Sequence, residues 1–129
     1  MASNQPPSWS GHPLSLLRIV SAFLLMAHGT QKLFNFPAPN PFPVALASRL
    51  GAAGVIETCG GLLLLVGLFT RPVAIILSGE MAFAYFLIHA PQGLWPLLNM
   101  GELAALNCFI LLYIAAAGGG PWSIDRMRR

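Results

Sequence analysis

A chain of 129 residues that is 56% hydrophobic and only 9% charged lacks the polar inventory of soluble domains, which carry roughly 25% charged residues. At this length one domain is expected, and a mean hydropathy of +0.69 places that domain in a membrane. The net charge of +3 does not point to nucleic acid, because no basic stripe with interleaved aromatics is present and the one basic cluster is Arg126, Arg128 and Arg129 at the C-terminus.

Residues 1–13 form a polar, proline-rich N-terminal tail without Lys or Arg, unlike the basic start of a secretory signal. The first apolar stretch, about 14–34, is therefore expected to remain as a membrane span. It stops at Phe36-Pro37-Ala38-Pro39-Asn40-Pro41-Phe42-Pro43, where proline removes backbone donors and disfavours helix in the preceding residue. This loop, with Phe36, Phe42 and Val44, is expected either to lie in the interface or to be disordered. Further apolar stretches cover about 50–69, 72–90 and 100–117. Thr70-Arg71-Pro72 separates two of them, with Pro72 suited to a first helical turn, and Pro91-Gln92-Gly93-Leu94-Trp95-Pro96 separates the next two. Gly118-Gly119-Gly120-Pro121 closes the membrane domain of residues 14–117 and opens a basic C-terminal tail, 118–129.

Each stretch approaches the roughly 20 residues that cross a hydrocarbon core of about 30 Å. None shows the alternation of barrel strands, and open sheets cannot span lipid. The expected fold is all-α: a polytopic membrane protein built as a four-transmembrane-helix bundle. Four spans put both termini and the loop holding Arg71 on one side, together with Arg126, Arg128 and Arg129, against Lys32 and Arg49 on the other. The excess of basic residues places both termini in the cytoplasm, and Arg18, one turn inside the first span, agrees. Trp9, Trp95 and Trp122 fit an interfacial aromatic belt.

Charges inside the spans carry the functional information, since each costs about 2.5–3.5 kcal/mol at a helix centre on insertion scales. Arg18, His28, Lys32, Glu57, Glu80 and Glu102 fall within or just inside the apolar stretches, and His89 closes the third. They are either internal ion pairs that fix helix register or the walls of a site for a polar or redox-active ligand. His28, Lys32, Glu57, His89 and Glu102 are expected at similar depth, with Glu80 nearer mid-membrane. Arg18, His28 and Lys32 share one helical face, within roughly 80° at about 100° per residue. Glu80 and His89 fall on opposite sides of an ideal helix unless His89 lies beyond its end.

Several residues admit two readings. Lys32 either snorkels to the interface or partners Glu57 or a ligand anion. Glu57 precedes Cys59-Gly60-Gly61, where small residues allow close helix approach. Glu80 is either protonated or paired with Lys32, Arg18 or a histidine. His28 and His89 are more simply hydrogen-bonded between helices than metal or haem ligands, neither of which is expected. Glu102 can serve a site or complement the dipole of its helix N-terminus. Arg18 is an ion-pair or topology residue, and Arg71 mainly a topology residue. Cys59 and Cys108 form no C-x-x-C and read as small packing residues.

Taken in order, these residues resemble a known family. Arg18 with His28-Gly29-Thr30-Gln31-Lys32-Leu33-Phe34 resembles the first-helix signature of the DoxX family of small bacterial membrane proteins. Glu57-Thr58-Cys59-Gly60-Gly61 followed by Gly67-Leu68-Phe69-Thr70-Arg71 resembles its second helix and exit turn. Glu80-Met81 with His89 resembles the third helix, and Gly118-Gly119-Gly120-Pro121-Trp122-Ser123-Ile124-Asp125 the glycine-rich ending.

That resemblance implies an inner-membrane protein of a mixed family. Some members belong to thiosulfate- or quinol-linked oxidoreductases and oxidative-stress complexes, and broader relatives assist assembly or trafficking. The expectation is a quinone-binding subunit of a membrane redox complex, with His28 or Lys32 on a quinone oxygen and Glu57 or Glu80 exchanging the proton. The chain has no cysteine pair or dinucleotide fingerprint, so electrons require a partner. The competing expectations are a non-enzymatic scaffold or assembly factor, often a homo-oligomer, whose charges are structural pairs, and a small-solute transporter with Glu80 on the path.

Overall fold

The computed structural model describes residues 8–41 and 43–129, all helix or connection with no strand among them; residues 1–7 of the expected N-terminal tail, and Phe42, lie outside the described residues. Helix α1 spans Gly11–Phe34 and α2 Arg49–Val66. Helix α3, Thr70–Ala84, continues through a π-helical turn, Tyr85–His89, and a 3-10 turn, Ala90–Gln92. A short α4 (Pro96–Asn99) precedes α5 (Glu102–Ala117), and a last short α6 covers Ile124–Met127. Three helical stretches of 24, 18 and 23 residues are long and apolar enough to cross a bilayer, and α5 is a shorter apolar helix. The molecule is a helical membrane bundle.

Local chemistry explains the boundaries. The α1 helix begins at Gly11, three residues ahead of the apolar run, because Pro13 in its first turn forfeits only an N–H that has no intrahelical partner. It ends at Asn35, whose left-handed φ of 54° returns its N–H to the Thr30 and Gln31 carbonyls; Asn tolerates that conformation better than most residues. Ser48 caps α2 by accepting the Gly51 N–H at 3.1 Å. At the other end Gly67, with φ 72°, and the Leu68 N–H on the Leu63 carbonyl at 2.9 Å form a Schellman closure.

Packing is pairwise. The α1–α2 and α3–α5 hairpins hold the most contact, α2 packs on α3, and α1 barely touches α5. The apolar core is formed by Ala22, Leu25, Leu64, Ala74, Leu77, Leu111 and Ile114, which lie in the half of the bundle nearest the C-terminal segment. Outward faces carry Phe23, Leu62, Ile75, Ile76, Phe83, Leu106 and Phe109, as expected where lipid is the solvent.

The end of the bundle that bears both described chain ends is tied by polar contacts. Arg18 is 0% exposed. Its Nη1 donates to the Leu64 and Leu65 carbonyls at 2.6 Å each, Nε to Gly119 at 2.8 Å and Nη2 to Trp122 at 2.5 Å. Arg71 closes α5 in the same way, donating to the Ala116 carbonyl at 2.6 Å. Asp125 caps α3 by accepting the N–H groups of Phe69 at 2.9 Å and Thr70 at 2.8 Å. Partial burial works against the Asp125 carboxylate, but those hydrogen bonds and the charge of Arg128 hold its pKa below the usual carboxylate range. Residues 118–129 thus complete the fold, and Arg18 and Arg71 are helix caps, tasks that carbonyls at helix ends set for any nearby donor.

Candidate functional site

The site begins with glycine. On α1, Gly29 lies so close to α2 that a Cβ there would sit 2.5 Å from Thr58 Oγ1 and 2.6 Å from the Thr58 nitrogen. On α2, Gly54 faces Lys32 Cβ and Leu33, which a Cβ would meet at 3.1 Å. Each glycine stands one turn before a charged residue on the same face, so the close crossing brings Lys32 and Glu57 together. Lys32 Nζ lies 2.8 Å from Glu57 Oε1 and 2.6 Å from Oε2, and the Glu57 side chain is only 3% exposed.

The same layer extends across the bundle. Gly60 packs on Leu77, so one turn away Glu57 comes opposite Glu80, whose carboxyl interacts with both Glu57 and Lys32. Glu80 Oε2 is buried and has no hydrogen-bond partner. Between α3 and α5, Ser78 Oγ donates to the Cys108 carbonyl at 2.7 Å. That antiparallel register sets Asn107 level with Glu80. Asn107 lies on the buried stripe of α5, is 6% exposed and makes no side-chain hydrogen bond among the described residues. Four helices therefore contribute one polar residue each, Lys32, Glu57, Glu80 and Asn107, to one depth of the bundle. Unpaired polar groups at such a depth are costly, and this layer lies at the edge of the apolar core, where the core member Met81 adjoins Glu80.

The remaining candidates lie elsewhere. His28 is exposed, and its Nδ1 donates to the Leu24 carbonyl at 2.8 Å within its own helix, so the shared face of α1 holds Arg18 and Lys32 without it. His89 joins a second polar group: its Nδ1 donates to the Asn99 carbonyl at 3.0 Å, and its ring lies 6.5 Å from that of Tyr85. The π-helical turn at Tyr85–His89 breaks the 3.6-residue phase on which the opposed placement of Glu80 and His89 rested. Glu102 is exposed in the first turn of α5, where the helix dipole favours an acid. Among the described residues no three His, Cys, Asp or Glu side chains gather as metal ligands. Cys59 is exposed and Cys108 half-buried, and both are free thiols.

Asn107 is the residue that reading the charges alone misses. The available signal was an amide inside an apolar run, on the same helical stripe as Ala104 and Leu111. Asn99, fully buried, with its Oδ1 on the Gly101 N–H at 2.8 Å, carried no such signal in the loop sequence.

Comparison with known proteins agrees with this architecture. The DoxX family description matches residues 14–90. An uncharacterized protein of Haemophilus influenzae is 42% identical over 123 residues, 87% of each chain. The inner membrane protein YqjF of Escherichia coli is 30% identical over 115 residues, 85% of this chain and 87% of its own. No solved structure matches. The matched segment covers nearly all of the first three spans and includes the Lys32–Glu57–Glu80 layer, and the chain belongs to the DoxX family.

Proposed function

We propose that the protein is a quinone-binding subunit of an inner-membrane redox system, with its site in the Lys32–Glu57–Glu80–Asn107 layer. The observation that carries this reading is the buried, unpartnered Oε2 of Glu80 beside an ion pair. A protonated Glu80 donates to a quinone oxygen, and its carboxylate accepts from a quinol hydroxyl, so either state of the ligand supplies the missing partner. The Lys32 ammonium has three donors and spends two on Glu57, which leaves one for a ligand carbonyl. The Asn107 amide offers two more. Because α1 barely touches α5, a lipid-soluble ring can enter the layer sideways from the bilayer.

A quinone accepts two electrons and two protons to become a quinol. In this chain Glu80 and Glu57 hold and pass the protons, Lys32 and Asn107 orient the oxygens, and the glycine crossing excludes water from one side. Electrons come from a partner protein, so the chain works as a member of a complex or an oligomer. Both termini face the cytoplasm in this reading. The test is a native mass spectrum of gently purified protein, with organic extraction of what copurifies. A bound quinone that is lost in Lys32→Met supports the reading. A particle carrying none, with the variant unchanged, sinks it.

A second reading rests on a different observation. Lys32 and Glu57 already satisfy one another, and Arg18, Arg71 and Asp125 are all committed to helix ends. A non-enzymatic scaffold would need no more than that. In that case Glu57→Gln lowers thermal stability in detergent and alters no ligand occupancy.

A further inference from the structure

At the end of the bundle tied by Arg18 lies a feature that the redox reading does not use. An open cavity of about 580 Å³ is walled by Arg71, Arg126 and Arg129 together with Gly118, Gly119 and Asp125. A second, of about 240 Å³, shares Arg71, Gly118, Gly119, Asp125 and Arg129 and reaches Phe69 and Pro72.

The charge in this crevice is unbalanced. Among the lining side chains three are arginines and one is an acid, Asp125, whose carboxylate is already bound to the Phe69 and Thr70 N–H groups. Arg128 is turned elsewhere, its guanidinium 5.9 Å from the centre of the Phe69 ring. The Arg71 Nη1 is spent on α5, while its Nη2 faces Gly118, where a Cβ would stand 3.4 Å away. The glycine wall therefore leaves one edge of the Arg71 fork open, with Arg126 and Arg129 beside it. Planar guanidinium forks match phosphate oxygens bidentately.

The surroundings select the kind of phosphate. The crevice lies where α1 and α3 begin and α5 ends, at one membrane face, with exposed Trp9 and Trp122 at the same end; such residues sit at headgroup level. The exposed Phe69 leads onto the outward Ile75 and Ile76 of α3, an apolar path for an acyl chain. We infer that this crevice is a binding site for the phosphate of an anionic phospholipid headgroup, held by Arg71, Arg126 and Arg129 with its chains along α3. Free inorganic phosphate is the other source of the same oxygens.

The experiment incorporates the full-length protein into nanodiscs of equal phosphatidylglycerol and phosphatidylcholine and counts retained lipids by native mass spectrometry. The expected result is selective retention of phosphatidylglycerol. It should fall about fivefold for each arginine removed in Arg126→Gln and Arg129→Gln, and stay unchanged in Arg49→Gln at the far end of the bundle. Melting temperatures of the variants establish that they fold. Phosphatidylglycerol displaced by added inorganic phosphate, together with a phosphate-dependent melting shift in phosphatidylcholine discs, assigns the crevice to the free anion and overturns the lipid. Equal retention of the two lipids, or a preference that survives loss of both arginines in a folded protein, overturns the site altogether.

Discussion

Gly67 leaves the space that the Arg18 guanidinium occupies: a Cβ on Gly67 would stand 3.1 Å from Arg18 Cζ and collide with Ser123. The same glycine turns the chain out of α2 with its left-handed φ, so one residue both ends the helix and admits the side chain that caps it. Arg18 then links α2, α1 and the C-terminal segment through four carbonyls. A lysine has one ammonium in place of a fork and cannot span them. Arg18→Lys and Arg18→Met are both expected to cost about 3 kcal/mol, since buried acceptors lose charged donors. Unfolding of the purified protein in detergent measures this. A lysine variant as stable as the parent would show that charge alone suffices.

Such contacts explain what could and could not be read from the chain. Apolar runs, prolines and glycines announce helices because lipid demands internally bonded backbone, and the helices lie where those runs do. Pairing with Glu57 was one of the readings the sequence left open for Lys32, beside snorkelling and a ligand anion, and the close approach at Gly29 and Gly54 that brings the two together is visible only in the fold. The task of Arg18 was not, since its acceptors are backbone carbonyls up to 104 residues away and no residue type marks a carbonyl. The folding back of residues 118–129 was hidden for the same reason, as their sequence reads as a glycine turn and a basic tail. The π-helical turn likewise has no signature, and with it went the phase of His89.

The Lys32–Glu57 pair predicts strong non-additivity. Removing one partner strands a charge beside Glu80, so Lys32→Met and Glu57→Met should each cost about 3 kcal/mol. The double variant removes both charges and should recover about 2 kcal/mol of the summed cost. A full double-mutant cycle by chemical denaturation in detergent gives the coupling. Additive effects would mean that the pair does not act as one unit.

Two glycines provide a contrast within the same bundle. A Cβ at Gly29 meets Thr58 at 2.5 Å, whereas at Gly79 it meets nothing within 4 Å. Gly29→Ala must push α1 from α2 and should destabilise by about 1–3 kcal/mol. Gly79→Ala should stabilise by about 0.5–1 kcal/mol through helix propensity. Melting temperatures of the two variants in one detergent decide it, and equal shifts would contradict the close crossing.

Asp125 makes the terminal cap sensitive to acid. Its folded pKa lies below the ordinary value near 4, so its contribution is fully present above that value and is lost as pH falls through the folded pKa. Asp125→Ala should cost about 1 kcal/mol at pH 7, as for other lost caps. The gap between parent and variant should narrow as pH falls below the ordinary carboxylate value and the parent side chain begins to protonate. Comparing the two proteins cancels every ionisable group that both retain. A gap independent of pH would mean that packing, and not the carboxylate, holds the α3 N-terminus.

Glu80 distinguishes a working layer from a structural one. Its Oε2 receives no donor from the fold, and an amide of the same shape can still hydrogen-bond the neighbouring Glu57 carboxylate, so the replacement removes little that stabilises. Glu80→Gln should therefore keep the melting temperature, with a change of less than about 1 kcal/mol. An amide cannot take up or release a proton at working pH, so quinone-dependent activity in membrane vesicles should be abolished in the same variant. The separation matters more than either value. Lost activity with retained stability places the proton step at Glu80, whereas retained activity removes Glu80 from that step. A fall in stability as large as that of Glu57→Met would show that Glu80 serves the ion pair, which is the behaviour the scaffold requires.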